Sequence, residues 1–195
     1  DIALNNLSEV LNTPLQAGGF ALAGMGAGDL LRELEFYFPA RDLDLAALAS
    51  AFAGAGQPFA AYADDIAAMD ARDVNGYLKG YIDMLFRRDG RHYILDWKSN
   101  WLGPDADAYS PAALDEAMRS HGYYLQACLY ALALRRSMEV RWPDWDQERH
   151  FGGVFYVFTR GVDPLKPGNG VAAFRPPSAL LDGIEAALGC GKTGL

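Results

Sequence analysis

The sequence is poor in cysteine and has no long apolar run. Its two cysteines among 195 residues are too few for a disulfide framework or a structural zinc site, so we expect a reducing, cytoplasmic setting. No apolar stretch approaches the roughly 20 residues that cross a bilayer, and we expect no signal peptide. The composition, 51% hydrophobic and 22% charged, is that of a globular domain large enough to bury its own core.

Positive charge is also scarce, because 17 Lys and Arg stand against 25 Asp and Glu, a net charge of −8. This balance argues against nonspecific nucleic-acid binding, which depends on neutralising phosphates. Residues 76–100 differ from the rest, since they carry an excess of two positive charges. Such a patch can steer an anion, although a solvated, charge-rich turn is an equally good interpretation.

Local patterns predict an α/β or α+β domain with a mixed sheet. Apolar periodicity, capping residues and turn residues each mark out elements of this domain. The predicted elements are a strand at 33–39, a helix capped by Asp42 and ending near Phe52, a short helix near 61–70, strands at 76–87 and 91–98, helices at 111–120 and 123–139, a strand at 153–160 and a helix at 178–188.

The dipeptide Asp89-Gly90 predicts a two-residue hairpin turn between two strands. In that register Phe86 faces Tyr93, and Asp83 faces Asp96. Opposed residues have Cβ atoms roughly 5 Å apart on one side of the sheet. The two carboxylates are therefore expected to lie close together.

Lys98 lies two residues beyond Asp96 and projects from the same face. Like charges directly opposite each other destabilise a sheet, so the repulsion between Asp83 and Asp96 must be offset. A shared proton, neutralisation by Lys98 or a divalent cation could each do so. Two acids, a lysine and a metal ion can hydrolyse phosphodiesters. The alternative is a surface hairpin with an ordinary ion pair, which leaves an aspartate inside an apolar strand unexplained.

Long segments of the sequence resemble the C-terminal nuclease domain of bacterial RecB, the large helicase–nuclease subunit of exonuclease V. The resemblance implies the restriction-endonuclease-like fold of the PD-(D/E)xK nuclease superfamily, an α/β fold whose central mixed sheet is flanked by helices. It also implies one nuclease domain over 1–195, cut from a longer chain, with 1–30 peripheral and 33–188 as core. The similar segments are 33–39, 76–86, 93–103, 121–134 and 150–163.

The resemblance assigns roles to the residues of the hairpin. Asp83 and Asp96 fall on the family's metal-binding acids and Lys98 on its catalytic lysine, and the carbonyl of Trp97 would be a further metal ligand. One or two Mg²⁺ ions are implied, with Mn²⁺ as a possible substitute. The implied activity is exodeoxyribonuclease V type hydrolysis of DNA, ATP-dependent in the full complex and acting in double-strand break repair and recombination. RecC-like and RecD-like subunits are the implied partners.

Tyr123, Gln126 and Tyr130 share one face of a predicted helix, and Gln126 and Tyr130 match the family's Gln-x-x-x-Tyr motif. Their amide and phenol groups could face the site or the DNA. Core packing of the tyrosines is the alternative.

The family's further metal-binding histidine, on an upstream helix, has no counterpart in this chain, because His92, His121 and His150 fall outside its motif. Glu33 or Glu35 could approach the metal instead, although solvation of a strand edge is the favoured interpretation. We therefore expect the fragment alone to bind metal weakly or to be inactive. The competing function is a catalytically silent nuclease-like domain that docks subunits or guides DNA.

Overall fold

A five-stranded sheet with its strands in chain order is the framework of the protein. The structure is a computed structural model that describes residues 8–15, 19–40, 43–70, 76–166 and 168–189. The strands are β1 (Leu30–Ala40), β2 (Gly76–Arg88), β3 (Arg91–Lys98), β4 (Phe151–Phe158) and β5 (Val171–Phe174). The helices are α1 (Leu45–Ala53), α2 (Ala63–Ala67), α3 (Pro111–Ser120), α4 (Tyr123–Arg141), α5 (Gln147–His150) and α6 (Ser178–Ala187).

The sheet is mixed, as predicted. β2 pairs with β3, and β4 with β5, in antiparallel ladders. β3 and β4 run parallel. The two strands begin side by side, where Gly152 lies against the Tyr93 ring, and they end side by side, where the Thr159 N–H donates to the Lys98 carbonyl at 3.0 Å. The mixed sheet flanked by helices confirms the predicted restriction-endonuclease-like fold class.

Most predicted elements are present with ends shifted by a few residues, one predicted helix cap needs correction, and one strand was missed. The helix α1 is capped by Asp44, whose carboxylate accepts from the Ala47 N–H at 2.9 Å; the predicted cap, Asp42, lies outside the described residues. The short strand β5 was not predicted. Its four residues give too little alternation to be recognised, and its pairing with β4 depends on tertiary structure.

The hairpin turn has the predicted geometry. Asp89 and Gly90 have φ values of +49° and +75°, as a type I′ turn requires at both central positions. The ladder that follows sets Phe86 opposite Tyr93, which confirms the predicted register over the pairs that the ladder contains.

We expect Gly90→Ala to lower the free energy of unfolding by about 1 kcal/mol, because an alanine Cβ disfavours positive φ. A Cβ at Gly90 would meet nothing within 4 Å, so the loss would report backbone strain alone. Gly76→Ala, at the start of β2 and equally open, is the matched control. Equal denaturant midpoints for the two variants would contradict this description of the turn.

The chain divides into two compact units. The first comprises the described residues of Asp1–Leu34, Asp83–His121 and Gly152–Arg175. Its core is aromatic: Phe86 stacks on Tyr93 with ring centroids 5.1 Å apart, and Phe20 meets Phe86 edge-on at 5.5 Å. This packing holds the β2–β3 hairpin rigidly.

The second unit comprises the described residues of Glu35–Ile82, Gly122–Phe151 and Pro176–Leu195. Its helix α6 packs against both α1 and α4. Arg135, on α4, is buried but donates to Asp182 at 2.6 Å and to Glu185 at 2.8 Å. Paired in this way, the buried guanidinium joins α4 to α6 without an unsatisfied charge.

Among the described helices, none combines the length and the apolar character needed to cross a bilayer.

Candidate active site

The Asp83 carboxylate is fixed against the neighbouring strand. The β2–β3 ladder ends with Met84 opposite Leu95, and Asp83 Oδ2 accepts a hydrogen bond from the Trp97 N–H at 2.8 Å. Carried one step further, the register sets Asp83 opposite Asp96. Because successive residues alternate between faces, both side chains then leave the sheet on the side away from Met84 and Leu95.

Asp96 and Lys98 form a buried ion pair at the end of β3. The Lys98 Nζ lies 2.6 Å from Asp96 Oδ2, and the two side chains are 11% and 5% exposed. Such an ion pair is screened little by solvent, so removal of either partner leaves a costly buried charge. The ammonium group is therefore held in place beside the acid.

Two residues from β4 and the loop after it complete the support of Lys98. The Nζ lies 4.9 Å from the centroid of the Tyr156 ring, and Tyr156 is fully buried. The Lys98 carbonyl accepts from the Thr159 N–H at 3.0 Å and from its hydroxyl at 3.3 Å. Nothing in the sequence connects Lys98 with these residues; only the sheet order brings them together.

We expect Tyr156→Leu to lower the kcat of a reaction at this site about tenfold or more, because a buried cation over an aromatic face gains roughly 2 kcal/mol. Tyr156→Phe keeps the ring face and should retain nearly full kcat. Unfolding of both variants is measured in parallel, since leucine also leaves unfilled space. A normal kcat in a folded Tyr156→Leu protein would contradict this role for the ring.

The donor set of the site fits a hard divalent cation. Asp83 and Asp96 provide carboxylate oxygens, and the main-chain carbonyl of Trp97 lies between Asp96 and Lys98 in sequence; Mg²⁺ prefers such oxygen ligands and keeps its other positions for water and phosphate. Across the described ranges, no three or more His, Cys, Asp or Glu side chains come together as a metal site. The two carboxylates and the carbonyl are all oxygen donors, the type that a hard divalent cation prefers, and water or substrate would complete its coordination.

The predicted motif on α4 is helical throughout, as expected. The Tyr130 ring is buried and meets Phe36 edge-on at 5.5 Å, so this tyrosine has a packing role. Tyr123 and Gln126 are half-buried. The contribution of the three residues to a nuclease site remains a prediction.

The other candidates from the sequence have local partners. Glu35 forms an ion pair with Lys79 at 2.5 Å. The His121 ring nitrogen lies 3.0 Å from the Ala117 carbonyl, and His150 Nδ1 accepts from the Asp146 N–H at 2.9 Å. Each of these three side chains therefore has a partner outside the candidate site.

Comparison with known proteins identifies the family. The family model for the PD-(D/E)XK nuclease superfamily matches residues 25–187. The chain belongs to this superfamily. The sequence Asp96-Trp97-Lys98 has the (D/E)-x-K spacing that appears in the superfamily's name, and its acid and lysine form the buried ion pair described above.

This PD-(D/E)XK nuclease domain is similar to several proteins named RecBCD enzyme subunit RecB. It is 41% identical to the one from Escherichia coli (strain K12), over 90% of this chain and 15% of that protein. The identity is 36% for Mycobacterium tuberculosis (strain CDC 1551 / Oshkosh), over 93% of this chain and 19% of that protein. The identity to the RecB protein from Haemophilus influenzae is 34%, over 92% of this chain and 15% of that protein. The chain therefore spans less than a fifth of the length of these relatives.

Proposed function

We propose that this domain is the Mg²⁺-dependent DNA nuclease of a RecBCD-type helicase–nuclease. The observation that carries the proposal is the buried Asp96–Lys98 pair at 2.6 Å, beside a residue whose N–H holds the Asp83 carboxylate. Superfamily membership supports hydrolysis of phosphodiesters. Similarity to RecB supports DNA as substrate and RecC-like and RecD-like subunits as partners.

In this proposal Asp83, Asp96 and the Trp97 carbonyl would hold the ion. A bound Mg²⁺ would lower the pKa of a water and stabilise charge on the scissile phosphate. Lys98 neutralises the negative charge that develops on the phosphoryl oxygens, or orients the attacking water. The Trp97 N–H keeps one Asp83 oxygen turned towards β3, and Asp96 and Tyr156 keep the ammonium in position.

The remaining assignments follow the resemblance to RecB. Gln126 and Tyr123 would present polar groups to the DNA or the site, whereas Tyr130 would set their helix against β1. The whole enzyme would act in the cytoplasm, depend on ATP and process DNA ends in double-strand break repair and recombination. The acidic domain would then rely on the rest of the complex to hold most of the DNA phosphates.

The proposal is tested with the full-length protein on DNA, with Mg²⁺ or with EDTA. We expect cleavage that requires the divalent ion and falls by about 10³-fold in Asp83→Asn, since one ligand of the ion loses its charge. Asp64→Asn is the matched control, because Asp64 is an exposed carboxylate on α2. Cleavage that persists in Asp83→Asn would refute the assignment. Wild-type protein that binds DNA but never cuts it would favour the silent docking domain.

A further inference from the structure

An exposed cluster of aromatic and charged side chains lies on β1 and β2. We call it the tyrosine patch, and it consists of Glu35, Tyr37, Tyr77, Lys79 and Tyr81. Its three tyrosines are 56%, 72% and 49% exposed, in chain order. Large side chains that are this exposed and this close together usually mark an interaction site.

Alternation of the two strands creates this surface. The odd-numbered residues of the patch face solvent, while the residues between them are turned the other way. On that opposite face the Phe36 ring packs against Tyr130 and lies so close to Gly80 that a Cβ there would be 2.4 Å from it. The sheet thus has one packed face and one open face here.

The patch is ordered before any ligand arrives. Glu35 accepts a hydrogen bond from the Tyr81 hydroxyl at 2.7 Å and pairs with Lys79 at 2.5 Å. The Lys79 Nζ lies 5.4 Å from the centroid of the Tyr37 ring and 5.0 Å from that of Tyr81. The ammonium therefore lies over the Tyr37 and Tyr81 rings, while all three tyrosines stay about half exposed or more. Aromatic surface remains open, and little side-chain entropy is lost when a ligand binds.

The charges of the patch remain paired at neutral pH. The hydrogen bond and ion pair with Lys79 lower the pKa of Glu35 to about 2, and the same contacts raise the pKa of Lys79. The patch is therefore close to neutral and should attract phosphates only weakly. Its main binding surface is the exposed aromatic area of its tyrosines.

Ring faces on a sheet are suited to unpaired nucleobases, which stack on aromatic side chains irrespective of sequence. Bases inside a duplex are already stacked on one another and cannot use them. A protein partner that covered the whole patch would desolvate the Glu35–Lys79 ion pair, whereas a base stacked on the exposed part of a ring covers a smaller area. The strand that carries Tyr77 and Tyr81 continues to Asp83, so the patch belongs to a strand of the nuclease site.

We propose that the tyrosine patch binds unpaired bases of single-stranded DNA by stacking on Tyr37, Tyr77 and Tyr81. The proposal rests on the nuclease function proposed above and adds a binding surface that recognises bases rather than phosphates. In this proposal the patch binds single-stranded DNA in preference to duplex DNA.

The first test is photocrosslinking with the full-length Asp96→Asn protein, which we expect to bind DNA without cutting it. A single-stranded oligonucleotide with 5-iodouracil is irradiated and the attachment sites are mapped by mass spectrometry. We expect attachment at Tyr37, Tyr77 or Tyr81, and its loss when the same oligonucleotide is annealed into a duplex. Crosslinks confined to other parts of the protein would overturn the proposal.

The second test uses steady-state cleavage of single-stranded DNA by the full-length enzyme. We expect the double variant Tyr77→Ala/Tyr81→Ala to raise KM by about tenfold or more with little change in kcat. On an oligonucleotide whose bases are removed away from the cleaved linkage, wild type and variant should have the same KM. Tyr81→Phe keeps the ring and should resemble wild type, and Val140→Ala controls for loss of an exposed apolar side chain on α4.

The outcomes separate this proposal from the nuclease assignment. If wild type cuts DNA in a metal-dependent way but the double variant keeps its KM, the patch proposal fails and the nuclease assignment stands. If the variant instead loses another subunit while its KM for single-stranded DNA is unchanged, the patch is a protein interface and the proposal is overturned. Wild type that never cuts DNA would defeat the nuclease assignment itself.

Discussion

We expect Asp96→Asn to abolish the proposed DNA cleavage by the full-length protein, with a loss of about 10³-fold or more in kcat, because it removes one of two carboxylates available to a divalent ion. Asparagine has nearly the shape of aspartate, so the hairpin and its packing should persist. The measurement is single-turnover cleavage of labelled DNA at saturating Mg²⁺. Thermal unfolding followed in parallel shows whether the fold is retained.

The control for this variant lies in the same hairpin. Asp89→Asn also removes one carboxylate, but from an exposed turn position with positive φ that asparagine tolerates. It should cleave DNA at the wild-type rate. Asp96→Ala is less informative, since it removes the side-chain oxygen as well as the charge beside the buried Lys98 ammonium, and it is expected to destabilise the fold by about 3–5 kcal/mol. Full activity in a folded Asp96→Asn protein would show that the acid is not part of the site.

Lys98→Gln has the second largest expected effect and separates the lysine from the acids. We expect kcat to fall by about 10²-fold or more, because no cation remains to neutralise charge on the phosphoryl group. Binding of Mn²⁺ should be retained or become tighter, since a positive charge 2.6 Å from Asp96 competes with the ion. Titration calorimetry with Mn²⁺ and single-turnover cleavage measure the two effects.

Lys98→Arg is a useful companion, because it keeps the charge but changes its shape. The guanidinium is planar and larger than an ammonium, and the Lys98 side chain is enclosed, so we expect poor rescue. Loss of metal binding in Lys98→Gln together with loss of cleavage would contradict separate roles, and would indicate that the lysine mainly maintains the structure of the site.

The β2–β3 hairpin could be predicted because its information is local. A two-residue turn fixes the register of the pairs beside it, so Asp89-Gly90 was enough to set Phe86 opposite Tyr93, and the structure contains that pair. The ladder ends before Asp83, where a side chain instead accepts from the Trp97 N–H. The distance between the carboxylates of Asp83 and Asp96 therefore depends on how β2 and β3 separate beyond the ladder. The turn does not determine that separation.

Features that depend on distant parts of the chain could not be predicted. Tyr156 supports Lys98 because β4 lies beside β3, and no spacing in the sequence reveals that neighbour. The tyrosine patch is of the same kind, since it needs β1 and β2 to be adjacent with one face open. The sequence pattern predicts Asp42 as the cap of α1, whereas the structure has Asp44 in that role. Both are aspartates ahead of the same apolar stripe, and the hydrogen bond from the Ala47 N–H identifies Asp44 as the cap.

The central claim is that Asp83 and Asp96 share a divalent ion next to Lys98. Its most direct test is a crystal structure of the full-length protein grown with Mn²⁺, in which anomalous scattering locates the ion. We predict a peak with carboxylate oxygens of both residues in its coordination shell, at roughly 2.0–2.3 Å, and its disappearance in Asp83→Asn. Carboxylates that leave opposite faces of the sheet, or an ion held by other residues while both acids remain empty, would contradict the claim.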